Sequence, residues 1–352
     1  MNMQGGAQAL AVEQIPEGEQ EAIQKVVDIE LQLLRRRIKE EHLGTPGCPV
    51  PRGQHSKHQG CVRADFVVAN DIPEELRYGV FREPGKAFPA FIRFSNAREK
   101  NDHKPGGHGM AIKLMGVTGE QLLEGRQQGQ TQDFLLLDSP VFFIKNAVEF
   151  ADFDAAHLSS ELSWFGTLST LAYLAEHPRE AAILLRIEHN HSDNPLGTRY
   201  WSGTPYKLGS GAVKYVATPS PGGPKIVAPP SEDQLRDAMK LQLETGTASF
   251  DFWVQPQVDP IEQPIEDATH EWESPSTKVA AIRIPSQSFD STAQMAFCEN
   301  LSFNPWHALT DHRPLGGLNR LRKAVYVALS DFRHEENHVP NIEPTPEAMP
   351  TG

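Results

Sequence analysis

The chain has 352 residues, of which 39% are hydrophobic and 8% aromatic, and a formal net charge of −13 at pH 7. That length holds one large domain or two ordinary ones. The acidic balance argues against nucleic acid as the main partner, and no run of about 18 apolar residues is present to span a membrane. Cys48, Cys61 and Cys298 form an odd, sparse set without a CxxC. Such a set argues against a disulfide framework or zinc cluster and for a reducing cytoplasm. The first residues lack the basic and apolar regions of a signal peptide.

Residues 1 to about 18 have little apolar content and read as a loose arm. Glu19 to Glu41 reads as a helix, with Ile23, Val26, Val27, Leu31, Leu34 and Ile38 at helical spacing and a basic C-terminal end. A Gly/Pro-rich segment, 44–53, leads into Arg52-Gly-Gln-His55-Ser-Lys57-His58 and then a strand from Cys61 to Ala69. His55 and His58 are read either as a weak metal pair, with no acid or cysteine nearby to complete a site, or as part of a solvated loop. Asp71 to Gly79 reads as a short capped helix, with Pro73 in its first turn.

The organising block follows, from Phe88 to Phe153. Three strand-like runs are expected: 91–95, 110–115, and 134–137 continuing through Pro140 to Ile144. In the first, Phe91, Arg93 and Ser95 share one face, while Ile92 and Phe94 share the other. A charge inside such a strand is costly without a partner. Arg93 therefore belongs either to a solvated edge strand or opposite an anionic ligand. Gly106 to Gly109 reads as a turn between strands, Glu120 to Thr131 as a polar excursion, and Lys145 to Phe153 as helical.

Ser163 to Leu185 carries one or two helices, and Tyr200 to Thr218 is strand-rich. Pro219 to Pro230 is a loop, and Ser231 to Thr245 a helix with Ser231 as its N-cap. Phe250 to Val258 and Val279 to Ile284 are strands. The order of elements indicates α+β with a β-barrel or large antiparallel sheet. The final helix, Gly317 to Arg333, carries an apolar stripe beside Asn319, Arg322, Tyr326, Ser330 and Arg333. Arg322 and Tyr326 are four apart and meet on one face. A guanidinium beside a phenol stabilises the phenolate, and tyrosine is a haem iron ligand. The plainer reading is a snorkelling arginine next to a half-buried tyrosine. The tail from Glu335 is acidic and proline-rich and reads as disordered.

Taken together, these stretches resemble the haem catalases and their shorter catalase-like relatives. The distal-histidine segment R-x-x-H-x-[KR] is matched by Arg52-Gly-Gln-His55-Ser-Lys57, and RFS by Arg93-Phe94-Ser95. RGFAVKF is similar to His108 through Leu114, and NNTPVFFIRD to Leu137 through Asn146. The proximal R-x-x-x-Y is matched by Arg322-Lys-Ala-Val-Tyr326. The chain is too short for the C-terminal helical domain of full-length catalases.

The resemblance implies a catalase-like antiparallel eight-stranded β-barrel with flanking helices. It divides the chain into an arm and helix (1–44), a haem-binding core (45–334) and a tail (335–352). It further implies haem b, with Arg52 and Arg93 on the propionates, Phe142 and Phe150 against the haem, and Tyr326 as proximal iron ligand tuned by Arg322. His55 would be the general base and acid, oriented by Ser95. His307, in a Pro-flanked segment, is the alternative iron ligand. Homodimers or homotetramers would be the assembly, a peroxide the substrate, and a cytoplasmic oxidoreductase the class.

Three departures bear on chemistry. Leu137, with Asp138 beside it, stands where the family has its distal asparagine. Gln54 precedes the distal histidine, and His108 replaces the arginine of RGFAVKF. These weaken the case for rapid hydrogen peroxide dismutation and favour an organic hydroperoxide such as that of a fatty acid. The expected activity is peroxidase or weak catalase chemistry. The alternatives are rearrangement or cleavage of a fatty-acid hydroperoxide, as in allene oxide synthases, and haem binding without catalysis.

Overall fold

The computed structural model describes residues 9–45, 47–123, 130–162 and 166–350. The first part of the expected arm, residues 124–129 of the polar excursion and residues 163–165 lie outside the described residues.

Nine strands form one antiparallel sheet: β1 (His58–Val68), β2 (Ala87–Asn96), β3 (His108–Met115), β4 (Thr131–Leu137), β5 (Tyr200–Trp201), β6 (Tyr206–Leu208), β7 (Gly211–Pro219), β8 (Ala248–Pro256) and β9 (Thr277–Ile284). Their order is β5-β4-β3-β2-β1-β9-β8-β7-β6, and β5 also pairs with β7. That pairing closes eight strands into a barrel and leaves β6 as an extra strand on β7. Closure removes the free edges that a flat sheet would expose.

Strand alternation fills the barrel. Phe88, Ala90, Ile92 and Phe94 of β2 point inward with Met110, Ile112, Phe134, Phe252 and Tyr215. Phe66, Phe81, Phe134 and Phe252 pack ring on ring at 5.0–6.4 Å. Each such buried ring is worth about 1.5–3 kcal/mol. The opposite face of β2 carries Phe91, Arg93 and Ser95, as the alternation predicts. However, β2 lies between β1 and β3, so Arg93 is not on an edge strand.

Helices α1 (Glu19–Glu41), α2 (Ala147–Leu162), α3 (Gly166–Glu176), α4 (Pro178–Glu188), α5 (Gln234–Thr245), α6 (Thr292–Asn300) and α7 (Gly317–Glu336) flank the barrel. The apolar faces of α1, α2 and α7 form a second core through Ile23, Val26, Ala147, Ala151, Leu318 and Leu321. Among the described residues no helix is long and apolar enough to cross a membrane.

Several expectations are corrected. The strand expected through Ile144 ends at Leu137. Asp138 and Ser139 then bind nearby backbone, and Pro140 has no N–H to continue a ladder. The helix expected from Asp71 is two short 3-10 turns, Glu74–Leu76 and Gly79–Phe81. Ser231 does not cap α5. The helix starts at Gln234, and the carboxylate of Asp102 accepts from Leu235 N at 3.1 Å.

The cysteine reading is corrected most sharply, because Cys61 and Cys298 form a disulfide across 237 residues. The tail does not behave as its composition implies. Met349 is buried, the Glu343 carboxylate meets Lys113, and Arg63 donates to Pro346 O and Met349 O. Glu13 in the arm pairs with Arg313 and Arg320.

Candidate functional site

The outer face of β2, β3 and β4 builds one wall of a cavity. Cross-strand register sets Ser95, Gly109 and Leu137 in one row, and Arg93, Ala111 and Leu135 in the next. The cavity has a volume of about 200 Å³. The segment 52–55, residues 301–303 and α7 complete its lining. Arg52, His55, Arg93, Ser95, Phe142, Arg322 and Tyr326 all line it. Residues far apart in sequence, from Arg52 to Tyr326, thus line one cavity.

His55 sits on Gly109. A Cβ at Gly109 would lie 2.7 Å from His55 Cε1, so only glycine leaves room for the imidazole. Its backbone is left-handed, with φ 53°, a conformation that costs a non-glycine residue about 1–3 kcal/mol. Arg52 holds it there, with Nη2 donating to His55 O at 2.9 Å, while His55 N donates to Ala97 O at 3.1 Å. His55 Nδ1 lies 3.0 Å from Ser95 Oγ. Burial, then the charges of Arg52 and Arg93, push His55 down to about 4, with Asp138 pulling the other way. The imidazole is therefore neutral at pH 7. His58 goes elsewhere, its Nε2 3.3 Å from Glu299, so the two histidines do not form a metal pair.

One end of the cavity is cationic. Arg52 pairs with the Glu299 carboxylate, and Arg93 Nη1 donates to Cys298 O (3.2 Å) and Leu301 O (2.9 Å). Arg333 also lines the cavity, with Nη1 3.8 Å from Glu299 and no hydrogen-bond partner. Sequence reasoning placed Arg333 beside Tyr326 but gave it no role, because a basic residue near a helix C-terminus is expected on dipole grounds alone. Glu299 was missed altogether, since nothing local marks it. Three guanidinium charges against one carboxylate leave two positive charges uncompensated. Burial, then Arg52, holds Arg93 well below its usual value.

The α7 wall carries the other pair. Arg322 Cζ lies 5.4 Å from the Tyr326 ring centroid, and its Nη1 reaches Asn319 Oδ1 (3.1 Å) and Thr204 Oγ1 (3.3 Å). Burial pulls the Arg322 guanidinium down, but the phenols of Tyr326 and Tyr206 outweigh it and hold it above its usual value.

Two residues depart from the expected set. Phe150 does not line the cavity; it stands behind Phe142 with ring centroids 6.2 Å apart, in the core of α1, α2 and α7. His307 is neither in the cavity nor on the surface. It is buried with Lys113, Asp133 and Glu343, its Nδ1 3.0 Å from Asp133 Oδ2. Among the described residues no group of three or more His, Cys, Asp or Glu gathers as a metal site.

The closed antiparallel barrel with its flanking helices has the fold of catalases. Residues 49–164 match the family model described as Catalase. A bacterial catalase superimposes with a TM-score of 0.60 at 17% identity, covering 86% of this chain and 60% of that one. A fungal catalase gives 0.58 at 16%, covering 81% and 58%. Catalase A from Saccharomyces cerevisiae gives 0.61 at 17%, covering 86% and 65%. The chain spans less than two thirds of the length of these three catalases. It is similar to catalases, in fold over most of its length and in sequence over residues 49–164.

Proposed function

We propose that the protein is a haem-dependent enzyme acting on hydroperoxides, with peroxidase or weak catalase chemistry and a preference for organic substrates. The observation that carries this reading is the His55–Ser95 pair lining the same cavity as the Arg322–Tyr326 pair. Haem b suits the donors present. Its two carboxylates match the two uncompensated charges at the arginine end, where Arg333 Nη1 lacks a hydrogen-bond partner. Tyr326 would hold the iron, and Phe142 would face the ring system. Bound haem would supply an iron that polarises the O–O bond of a peroxide.

The remaining work falls to the chain. Ser95 engages His55 Nδ1, so Nε2 is the nitrogen left to accept the hydroperoxide proton. The neutral imidazole is a competent base across the physiological range, and it returns the proton to the departing oxygen as an acid. Arg52 fixes the backbone on which that imidazole stands. Leu137, Leu135 and Val325 line the cavity and favour an alkyl chain over water.

The test is the ultraviolet–visible spectrum of protein expressed with haem supplied. The expected result is a high-spin ferric Soret band that is lost in Tyr326→Phe, and turnover of alkyl hydroperoxides that is lost in His55→Ala while haem is kept. A Soret band without turnover of any peroxide would leave a haem-binding protein; no Soret band would end the proposal. Leu137 favours one second reading, rearrangement of a fatty-acid hydroperoxide without net redox. Product analysis separates them: an alcohol with oxidised donor marks a peroxidase, an epoxide or aldehyde the rearrangement.

A further inference from the structure

We infer that the Cys61–Cys298 disulfide is a positioning device for the arginine end of the cavity, and through it for the carboxylates of an anionic ligand. It rests on the haem reading only for the identity of that ligand.

Cys61 in β1 is the direct cross-strand partner of Arg93 in β2. Side chains at such positions share a face with Cβ atoms about 4.5–5.5 Å apart. The disulfide carries the chain from Cys61 to Cys298, near the C-terminal end of α6. Cys298 O accepts from Arg93 Nη1 at 3.2 Å, which closes a loop of three contacts: strand register, covalent bond, hydrogen bond. The next residue, Glu299, is the carboxylate that faces Arg52, Arg333 and His58. Leu301 O, two residues further on, is the second acceptor for Arg93. One covalent bond therefore anchors the segment that carries, among the described residues, both acceptors shown for Arg93 and the acid paired with Arg52.

The opposite end of α6 is fixed separately, by the Ser291–Gln294 capping box. At its C-terminal end the disulfide is the covalent tie, beside the contacts that Cys298 O, Glu299 and Leu301 O make with the arginines. The carbonyls there carry the negative end of the helix dipole and are used on guanidinium groups. Both sulfurs are buried, with Cys61 1% and Cys298 0% exposed, in a cluster with Phe91, Leu301 and Phe303. The Phe303 ring lies 4.4 Å from the Arg93 guanidinium carbon. A shift of the segment 298–301 would thus remove carbonyls and aromatic face from Arg93 together. A mere staple would hold the fold; this one also aims a charge.

The test compares wild type with Cys61→Ser/Cys298→Ser, titrating cofactor-free full-length protein with hemin and with hemin dimethyl ester. The ester has the same ring but no free carboxylates. The expected result is a hemin affinity lower by about tenfold or more in the variant, with ester affinity unchanged, because only the carboxylates read the arginines. Reduction of wild type with a phosphine should give the same split. Equal losses for both porphyrins, or no loss for either, would overturn the inference. If wild type binds neither porphyrin, the haem reading fails, and amide hydrogen exchange decides the positioning role. Faster exchange at 298–301 in the variant, with 292–294 unchanged, supports it, and identical exchange refutes it.

Discussion

Lys113→Met isolates the buried charge cluster beside the cavity. Lys113 is 0% exposed, and its ammonium lies 2.8 Å from Asp133 Oδ1, 2.6 Å from Glu343 Oε2 and 3.3 Å from His307 Nδ1. Burial pulls its pKa down, but the charges of Asp133 and Glu343 outweigh it and hold it above the usual value. Methionine fills much of the same volume, so the loss is electrostatic and not a cavity effect. Breaking a buried pair strands the partner charge and costs about 3–5 kcal/mol.

The pH dependence gives the sharper signature. In wild type, burial raises Glu343, but Lys113 and His307 outweigh it and hold its carboxyl below its usual 4.5. A depressed acid contributes stability above its unfolded pKa and loses it as pH falls through the folded one. Wild type should therefore lose this contribution only below pH 4.5. In Lys113→Met the two carboxylates face each other without the ammonium, so one binds a proton more tightly when folded than when unfolded. The sign reverses: the variant recovers stability as pH falls from 7.5 to 5, by up to about 3 kcal/mol at 1.36 kcal/mol per unit. Urea unfolding at both pH values measures it. A loss under about 1 kcal/mol, the same at both, would mean that water screens the cluster as it does a surface pair.

Three more outcomes follow from the geometry. Because burial and two arginines push His55 down to about 4, the acid limb of hydroperoxide turnover should fall near pH 4, and a fall near 6.5 in a stopped-flow profile would contradict the placement. Gly109→Ala puts a methyl group 2.7 Å from His55 Cε1, so turnover should drop by about tenfold or more with the unfolding midpoint little changed, since the imidazole and not the barrel must move. Asp154 is 4% exposed with Oδ2 unpartnered, and burial, then Glu30, pushes it up to about 8. A raised acid loses stability as pH climbs from its unfolded value to its folded one, so Asp154→Asn should stabilise the fold at pH 8, by an upper bound of about 5 kcal/mol, and little at pH 4. Urea midpoints at the two pH values check it.

What was legible in the sequence was local or periodic. The alternation from Phe88 to Ser95 told inward from outward residues because a strand has period two, and α1 was read with its observed bounds because its apolar spacing runs unbroken. The segments that meet at the cavity stood out for the same reason, each lying within a few residues. Closure of the barrel was legible only through the resemblance, not in the strand patterns themselves. It depends on the two residues of β5, too few to show alternation. The Cys61–Cys298 bond joins two residues that no spacing rule connects. Lys113 and Glu343 are 230 residues apart, and Glu343 lies in a segment whose composition reads as loose. Composition averages over a segment, whereas docking depends on single residues such as Met349 and Glu343.

The same distinction bears on the wall of the cavity beside His55, where one position is free of structural constraint. The row Ser95–Gly109–Leu137 runs under His55. Glycine is forced there by the imidazole and serine by the ring nitrogen, but nothing structural forces the third position. Leucine fits that strand as well as an amide would, so the choice falls on what the cavity holds. Asp138, next along the chain, is turned away and bound to His108 Nδ1 at 2.7 Å, so it cannot return a polar group to the row. An apolar side chain in the row beside the proposed base leaves a small polar peroxide without a second hydrogen bond and leaves an alkyl chain undisturbed. Leu137→Asn should therefore raise kcat/KM for hydrogen peroxide and lower it for a long-chain hydroperoxide. Equal changes for the two substrates would show that residue 137 does not choose between them.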